Sequence, residues 1–299
     1  MRRRSLRRNR RPPHLAVQQL EPRLALAVTP SLVTDINVTP RGSFPFTPTA
    51  VGDVAYFAAS DAEHGQELWK TDGTTAGTTL VKDISIGLAS SEPYSFTAVG
   101  DKVFFVATDG DHGTELWVTD GTEDGTQLVA DLATGSIETY DPITHTWGVG
   151  PARSWPKDLT AFGGELYFVA DAGDANGEAG LVAQLWKTDG TAEGTVQVAT
   201  EGGPVTATFV LGDSLFYATY DNENQSTTLF AVGVLESVAS IPGDYTPSLT
   251  VIGSRAYFSN YTSSAGQEPW VTDGTADGTF MLVDAAPGEV DQFPNGSIP

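Results

Sequence analysis

The chain has 299 residues, 40% of them apolar, so it can bury a sizeable core; 32 Gly and 18 Pro favour many turns over long helices. It has no cysteine, which excludes disulfides and thiolate metal sites. The net charge of −22 hides an asymmetry: residues 1–27 hold eight Arg and one Glu, and the rest carries eight Lys and Arg against 37 Asp and Glu, a net of −29. Such a body repels nucleic-acid phosphates and anionic membranes.

Residues 1–30 are expected to form a basic leader, cleaved or disordered. Its Arg cluster precedes an apolar stretch interrupted by Gln18, Gln19, Glu21, Pro22 and Arg23, and Ala25-Leu26-Ala27 has the form of a small-residue cleavage site. A basic arm for nucleic acid is the other reading of this segment. No later run approaches the ~18 apolar residues of a membrane span.

From Ser31 onward the chain repeats itself. Five aromatics anchor the copies: Trp69, Trp117, Trp186, Phe230 and Trp270, spaced by 48, 69, 44 and 40 residues. Four copies continue into TDGT followed by x-x-G-T; the copy at Phe230 has lost it. Upstream of each aromatic lies an apolar run, a Gly-centred turn and an alternating run, as in TAVGDKVFFVATD. Downstream lies a short apolar piece such as TTLVKDI. This is hairpin grammar with a period of two, and no window carries a helical period. In the second unit the strands are predicted at 96–99, 102–108, 114–119 and 126–132. Four antiparallel strands every ~40–50 residues predict an all-β fold, a β-propeller of about five four-stranded blades over 31–285.

The stretches 67–78, 115–126, 184–195 and 268–279 resemble the bacterial ELWxxDGT-repeat family. The resemblance implies a propeller-like surface protein and assigns no chemistry. QQLEPRLALA resembles the LEPR-type leader of secreted and surface bacterial proteins, which implies export. TYDPITHTW (139–147) looks like a kelch-type hairpin and is expected to be an elongated hairpin inserted before Trp186.

The downstream piece occurs six times, because SLVTDI (31–36) precedes the first blade and FMLVDA (280–285) follows the fifth. Two strands thus compete for one closing seam. Residues 286–299 resemble the start of a sixth repeat, so the chain is either a ring of five with a spare strand or part of a longer array.

Among the shared residues, Trp69, Trp117, Trp186 and Trp270 are expected to pack between blades. Asp72-Gly73, Asp120-Gly121, Asp189-Gly190 and Asp273-Gly274 are expected to build turns, with Asp bonding the backbone two residues on and Gly accepting positive φ. The second-to-third-strand loops are acidic. Asp109 and Asp111, or Asp171, Asp174, Asn176 and Glu178, offer oxygens to one Ca²⁺, or form solvated hairpin tips. His64 and His112 share a loop position without zinc-site spacing. The inter-blade connections pair aromatics with proline at Phe44, Tyr94, Trp155 and Tyr245, and Arg153 stands beside Trp155. Loops of this kind carry binding function on a rigid scaffold, so these five residues are the candidate channel-mouth ligand site.

No nucleophile elbow, phosphate loop or dinucleotide fingerprint is present. The three Arg of the body (Arg41, Arg153 and Arg255) are too scattered to grip a carboxylate together. The expectation is a non-catalytic, exported module that binds a protein or glycan, with a glycan-active hydrolase or lyase, or a fragment of a longer array, as alternatives.

Overall fold

The computed structural model describes residues 33–36, 42–141, 146–171, 183–198, 200–234, 236–262, 264–285 and 287. Its described residues form six antiparallel sheets, five of four strands and one of two. Sheet I consists of β1 (Phe46–Val51), β2 (Val54–Ser60), β3 (Gln66–Thr71) and β4 (Thr79–Lys82). Sheet II is β5 (Tyr94–Val99), β6 (Lys102–Thr108), β7 (Thr114–Thr119) and β8 (Gln127–Ala130). The inserted hairpin follows as β9 (Ser136–Asp141) and β10 (Thr146–Pro151). Sheet III comprises β11 (Lys157–Phe162), β12 (Glu165–Asp171), β13 (Ala183–Thr188) and β14 (Val196–Gln197). Sheet IV is β15 (Val205–Leu211), β16 (Ser214–Asp221), β17 (Ser226–Ala231) and β18 (Ser237–Pro242). Sheet V is β19 (Asp244–Ile252), β20 (Arg255–Thr262), β21 (Gly266–Thr272) and β22 (Phe280–Met281).

Each four-stranded sheet is a meander with strands in chain order. The first hairpin turns on Gly52, Gly100, Gly163, Gly212 or Gly253, all with φ near +60°, the geometry a two-residue hairpin demands of its first central residue. Register places one aromatic pair across the second and third strands of every sheet: Phe57 with Trp69, Phe105 with Trp117, Phe168 with Trp186, Tyr217 with Phe230, Phe258 with Trp270. Because strand residues alternate between faces, each pair covers one face and the neighbouring aromatics, such as Tyr56 and Phe104, cover the other.

Successive sheets then bury these faces against each other. Tyr56, Val81 and Ile84 of sheet I meet Phe96, Phe105 and Trp117 of sheet II. Phe104 and Val129 meet Phe168 of sheet III, Tyr167 and Leu185 meet Tyr217 and Phe230 of sheet IV, and Phe209 and Phe216 meet Phe258 of sheet V. The Trp residues therefore stand at the joins between sheets. The indole N–H groups of Trp69, Trp117, Trp186 and Trp270 are buried without a partner, and Phe230 fills the same position with no donor to satisfy.

The DGT turn between third and fourth strands is a closed hydrogen-bond device. The Asp72 carboxylate accepts the Thr74 N–H at 2.9 Å and its hydroxyl at 2.7 Å; the Thr74 hydroxyl accepts the Gly77 N–H at 3.0 Å; Thr78 donates back to the Thr74 carbonyl at 2.8 Å. The copies at Asp120, Asp189 and Asp273 repeat it. Gly73 and its counterparts Gly121, Gly190 and Gly274 have φ between 85° and 93°. The second glycine is needed for space: a Cβ on Gly125 would stand 2.1 Å from Asp120 Oδ1. Every carboxylate oxygen used here serves the turn itself.

Two expected bounds shift for physical reasons. The first strand of sheet II begins at Tyr94, two residues before the predicted start, across a register shift between Tyr94 and Thr97. The fourth ends at Ala130, two residues short of prediction, because the Leu132 N–H turns to the Glu115 carboxylate.

Candidate functional site

The linkers between sheets and the second-to-third-strand hairpins lie at the same end of the sheets, as the Gly65 N–H bond to the Gly87 carbonyl and the Trp155 N–H bond to the Thr114 carbonyl show. What holds the linkers is the Glu of ELW. Glu67 is fully buried, and its carboxylate accepts the Ile84 N–H at 2.9 Å, the Ser85 N–H at 3.3 Å, the Ser91 N–H at 3.0 Å and the Ser91 hydroxyl at 2.5 Å. Glu115 does the same with the Leu132 N–H at 3.4 Å, the Ser154 N–H at 2.8 Å and the Ser154 hydroxyl. Burial pushes both carboxyls up, Glu115 to about 7, against the pull of these hydrogen bonds.

Each latch fixes a Ser-x-Pro tripeptide: Ser91-Glu92-Pro93 and Ser154-Trp155-Pro156, with Ser43-Phe44-Pro45 in the same register before sheet I. The Ser and Pro of the first two are buried and the central residue is exposed. Phe44, Glu92 and Trp155 have φ of 45°, 48° and 48°, a left-handed conformation that L residues avoid and that costs roughly 1–3 kcal/mol. At Glu92 and Trp155 the Glu latch and the buried Ser and Pro hold this conformation, which turns the central side chain outward; Phe44 shares it between a half-buried Ser43 and an exposed Pro45. Phe44 is 68% exposed and Trp155 49%.

The two latched linkers enclose a cleft of about 230 Å³ whose walls include Glu92, Tyr94, Thr108, Thr114, Arg153 and Trp155. The Arg153 guanidinium lies 5.5 Å from the centroid of the Trp155 ring. Ion pairs among the described residues join His64 to Asp61 and Asp83, His112 to Asp109, and Lys187 to Glu165, so Arg153 has no carboxylate partner there. Burial, with the negative charge of Glu92, holds the Tyr94 phenol above its ordinary value, so it stays a donor at neutral pH. The cleft thus offers an aromatic ring, a five-donor fork, one carboxylate and several hydroxyls.

Of the five predicted ligand residues, Tyr94, Arg153 and Trp155 come together. Phe44 lies in the equivalent linker before sheet I and does not line this cleft; the Tyr245 side chain lies outside the described residues. The true counterpart of Trp155 in the preceding linker is Glu92, since Tyr94 follows its proline and Trp155 precedes its own. Sequence reasoning passed over Glu67, Glu115 and Glu268. For Glu67 and Glu115 the signal was there: a Glu two residues before the aromatic, followed after the fourth strand by a Ser-x-Pro.

The acidic loops are internally committed. Asp109 accepts the Asp111 N–H at 3.0 Å and the His112 N–H at 2.9 Å, and meets His112 Nδ1 at 2.7 Å; Asp61 binds Glu63 and His64 in the same way. These bonds raise the His64 and His112 pKa values and, against burial, lower those of Asp61 and Asp109. Asp171 closes β12, where burial raises its carboxyl. Asp174, Asn176 and Glu178 lie outside the described residues. Among the described residues no three His, Asp or Glu converge as metal ligands. No helix of the described residues is long and apolar enough to cross a membrane.

No protein-family model matches the chain, and no curated protein does. Solved structures do. A puromycin hydrolase S511A mutant complexed with PGG is 15% identical over 87% of this chain and 41% of its own, with a TM-score of 0.50. Oligogalacturonate lyase in complex with manganese is 12% identical over 74% and 59%, at 0.45, and TolB from Acinetobacter baumannii 12% identical over 74% and 50%, at 0.40. The chain spans 41–59% of the length of these three proteins. At such identity the likeness to the hydrolase concerns the fold alone, and it supports a propeller-type scaffold.

Proposed function

We propose that this is an exported, non-catalytic propeller-type module of bacterial surfaces that binds a glycan or protein partner at its linker end. The observation that carries the reading is the half-exposed Trp155 with Arg153, which has no carboxylate partner among the described residues, stacked over it, both set on a linker that Glu115 locks. A rigid ring and a pre-aimed fork lose little freedom on binding. Within the two partner classes the cleft chemistry favours an uncharged sugar. An indole suits the apolar face of a pyranose, while Arg153, Glu92 and Tyr94 match hydroxyls that both donate and accept. The net −29 of the body disfavours polyanions. Export rests on the resemblance of the leader, and the repeat motif supplies the scaffold around the site.

A glycan array run beside a hydrolysis screen tests the proposal. Expected are retention of neutral oligosaccharides without turnover and loss of retention in Trp155→Ala and Arg153→Ala. Turnover that disappears in Arg153→Ala would assign the same cleft to an enzyme. Retention confined to immobilised proteins would assign it to a protein partner.

A further inference from the structure

The two ends of the row of sheets do not match each other. At the start, residues 33–36 lie against sheet I as residues 81–84 lie against sheet II. Ile36 packs on Phe57, Ala59 and Trp69; Ile84 packs in the cluster of Phe105, Ala107 and Trp117, the same positions one repeat later. The Thr75 hydroxyl donates to the Val33 carbonyl at 2.7 Å, and Lys82 reaches the carbonyl of Glu123, the counterpart of Thr75, at 3.4 Å. The sequence agrees, since SLVTDI and TLVKDI align without a gap. Residues 33–36 therefore hold against sheet I the place that residues 81–84 hold against sheet II.

At the other end, sheet V has every feature of a sheet awaiting a successor. Val51, Val99, Phe162 and Leu211, the residues before the first turn, each pack in the join to the next sheet; their counterpart Ile252 is 64% exposed. Val81 and Val129 are buried, and their counterpart Leu282 is 46% exposed. Tyr56, Phe104, Tyr167 and Phe216 are buried, whereas Tyr257 is only partly so. Glu268 is buried and accepts the Ala285 N–H at 3.1 Å, as Glu67 accepts that of Ile84. Its second partner, the Ser-x-Pro that Ser91 and Ser154 supply to Glu67 and Glu115, has no counterpart among the described residues.

Sheets V and I cannot simply meet, because residues 282–285 would need the place that residues 33–36 occupy. We propose that one further sheet of the same repeat sits between them, and that residues 33–36 belong to its fourth strand. Its other three strands come from a unit of about 36 residues like 91–126, by the repeat arithmetic of such folds. The chemistry of that unit is defined at each contact. A Ser-x-Pro donates to Glu268; a Phe–Trp cross-strand pair covers Ile252, Leu282 and Tyr257; the third strand, ending in Thr-Asp-Gly-Thr, pairs with the strand to which residues 33–36 belong. The sequence places the start of such a unit in register: Gln292-Phe293-Pro294 stands seven residues after Ala285, as Ser91-Glu92-Pro93 stands seven after Ile84. The occupant is a single repeat unit of this chemistry.

Two experiments test this. In the first, residues 292–299 are replaced by a copy of residues 91–126. Amides at 252 and 282–285 are expected to exchange at least tenfold more slowly than in the parent chain, and Glu268→Ala is expected to cancel that protection. Unchanged exchange overturns the proposal. In the second, Ser43→Cys and Glu268→Cys are introduced into the parent chain, which has no other cysteine. A disulfide needs Cα atoms within about 7 Å, so the proposal expects no bridge under oxidation. An intramolecular bridge would show closure at five sheets, and an intermolecular one would show a second copy on this face; either overturns it.

Discussion

Glu115→Gln turns the linker latch into a titration experiment. The Glu115 side chain is buried, and burial raises its carboxyl from 4.5 to about 7. Between these values the folded chain holds a proton that the unfolded chain has lost. A group whose folded pKa is raised favours the fold at low pH, and that advantage fades as pH climbs from the unfolded to the folded value. The linkage amounts to about 3 kcal/mol lost between pH 4.5 and 7.5. Glutamine is isosteric and does not titrate, and sheet III already carries Gln184 at this position, where Gln197 donates to it at 3.0 Å. Urea unfolding of both proteins from pH 4.5 to 8 is therefore expected to give diverging profiles. The stability of Glu115→Gln relative to the parent should rise by about 3 kcal/mol across the range, whatever its offset at the acid end. Profiles that stay parallel within about 1 kcal/mol would refute the claim that burial of this carboxylate dominates its hydrogen bonds.

Other consequences are open to measurement. Gly125→Ala sets a Cβ against the Asp120 carboxylate and is expected to cost more than about 2 kcal/mol; in the Asp120→Ala background the cost should shrink by at least about 1 kcal/mol, the coupling a double-mutant cycle reads. Trp117→Phe removes a buried N–H that has no partner, so its cost should stay below about 2 kcal/mol, against the 3–5 typical of truncating a buried Trp to Ala. His112 should titrate above 6.5 by NMR because Asp109 holds its proton, and its stabilising contribution should be present at pH 5 and lost as pH rises through that value; Asp109→Asn should return the midpoint toward 6.5. Added Ca²⁺ should leave the thermal midpoint unchanged, since the Asp61 and Asp109 carboxylates already accept bonds within their own loops; a rise of several degrees would contradict this.

Much of the scaffold was readable because its physics is local. Alternation in KVFFVAT and TELWVT specifies paired strands with two buried faces, and the Gly of each first hairpin specifies its turn. The Asp-Gly-Thr turn needs only bonds within seven residues. The latch was not readable in this way, because its partners stand 24 and 39 residues apart, and a Glu next to a core Leu in a strand looks like a solvent-facing position. The candidate site was half visible. Aromatics beside proline drew the eye to Tyr94, Trp155 and Phe44, but only the latched backbone shows that Glu92 shares the register of Trp155. The count of six fourth-strand pieces against five aromatics foretold a contested seam. Ile36 packs on Phe57 and Trp69 at the sheet I end of that seam.

The claim that the cleft beside Arg153 is the contact surface is tested most directly by titration calorimetry with a neutral oligosaccharide retained on the array. The parent, Trp155→Ala and Phe44→Ala are compared under the same conditions. The account predicts at least a tenfold loss of affinity for Trp155→Ala, about 1.4 kcal/mol or more, and parent-like affinity for Phe44→Ala, which is more exposed but outside the cleft. Equal losses in both variants, or none in Trp155→Ala, would contradict it.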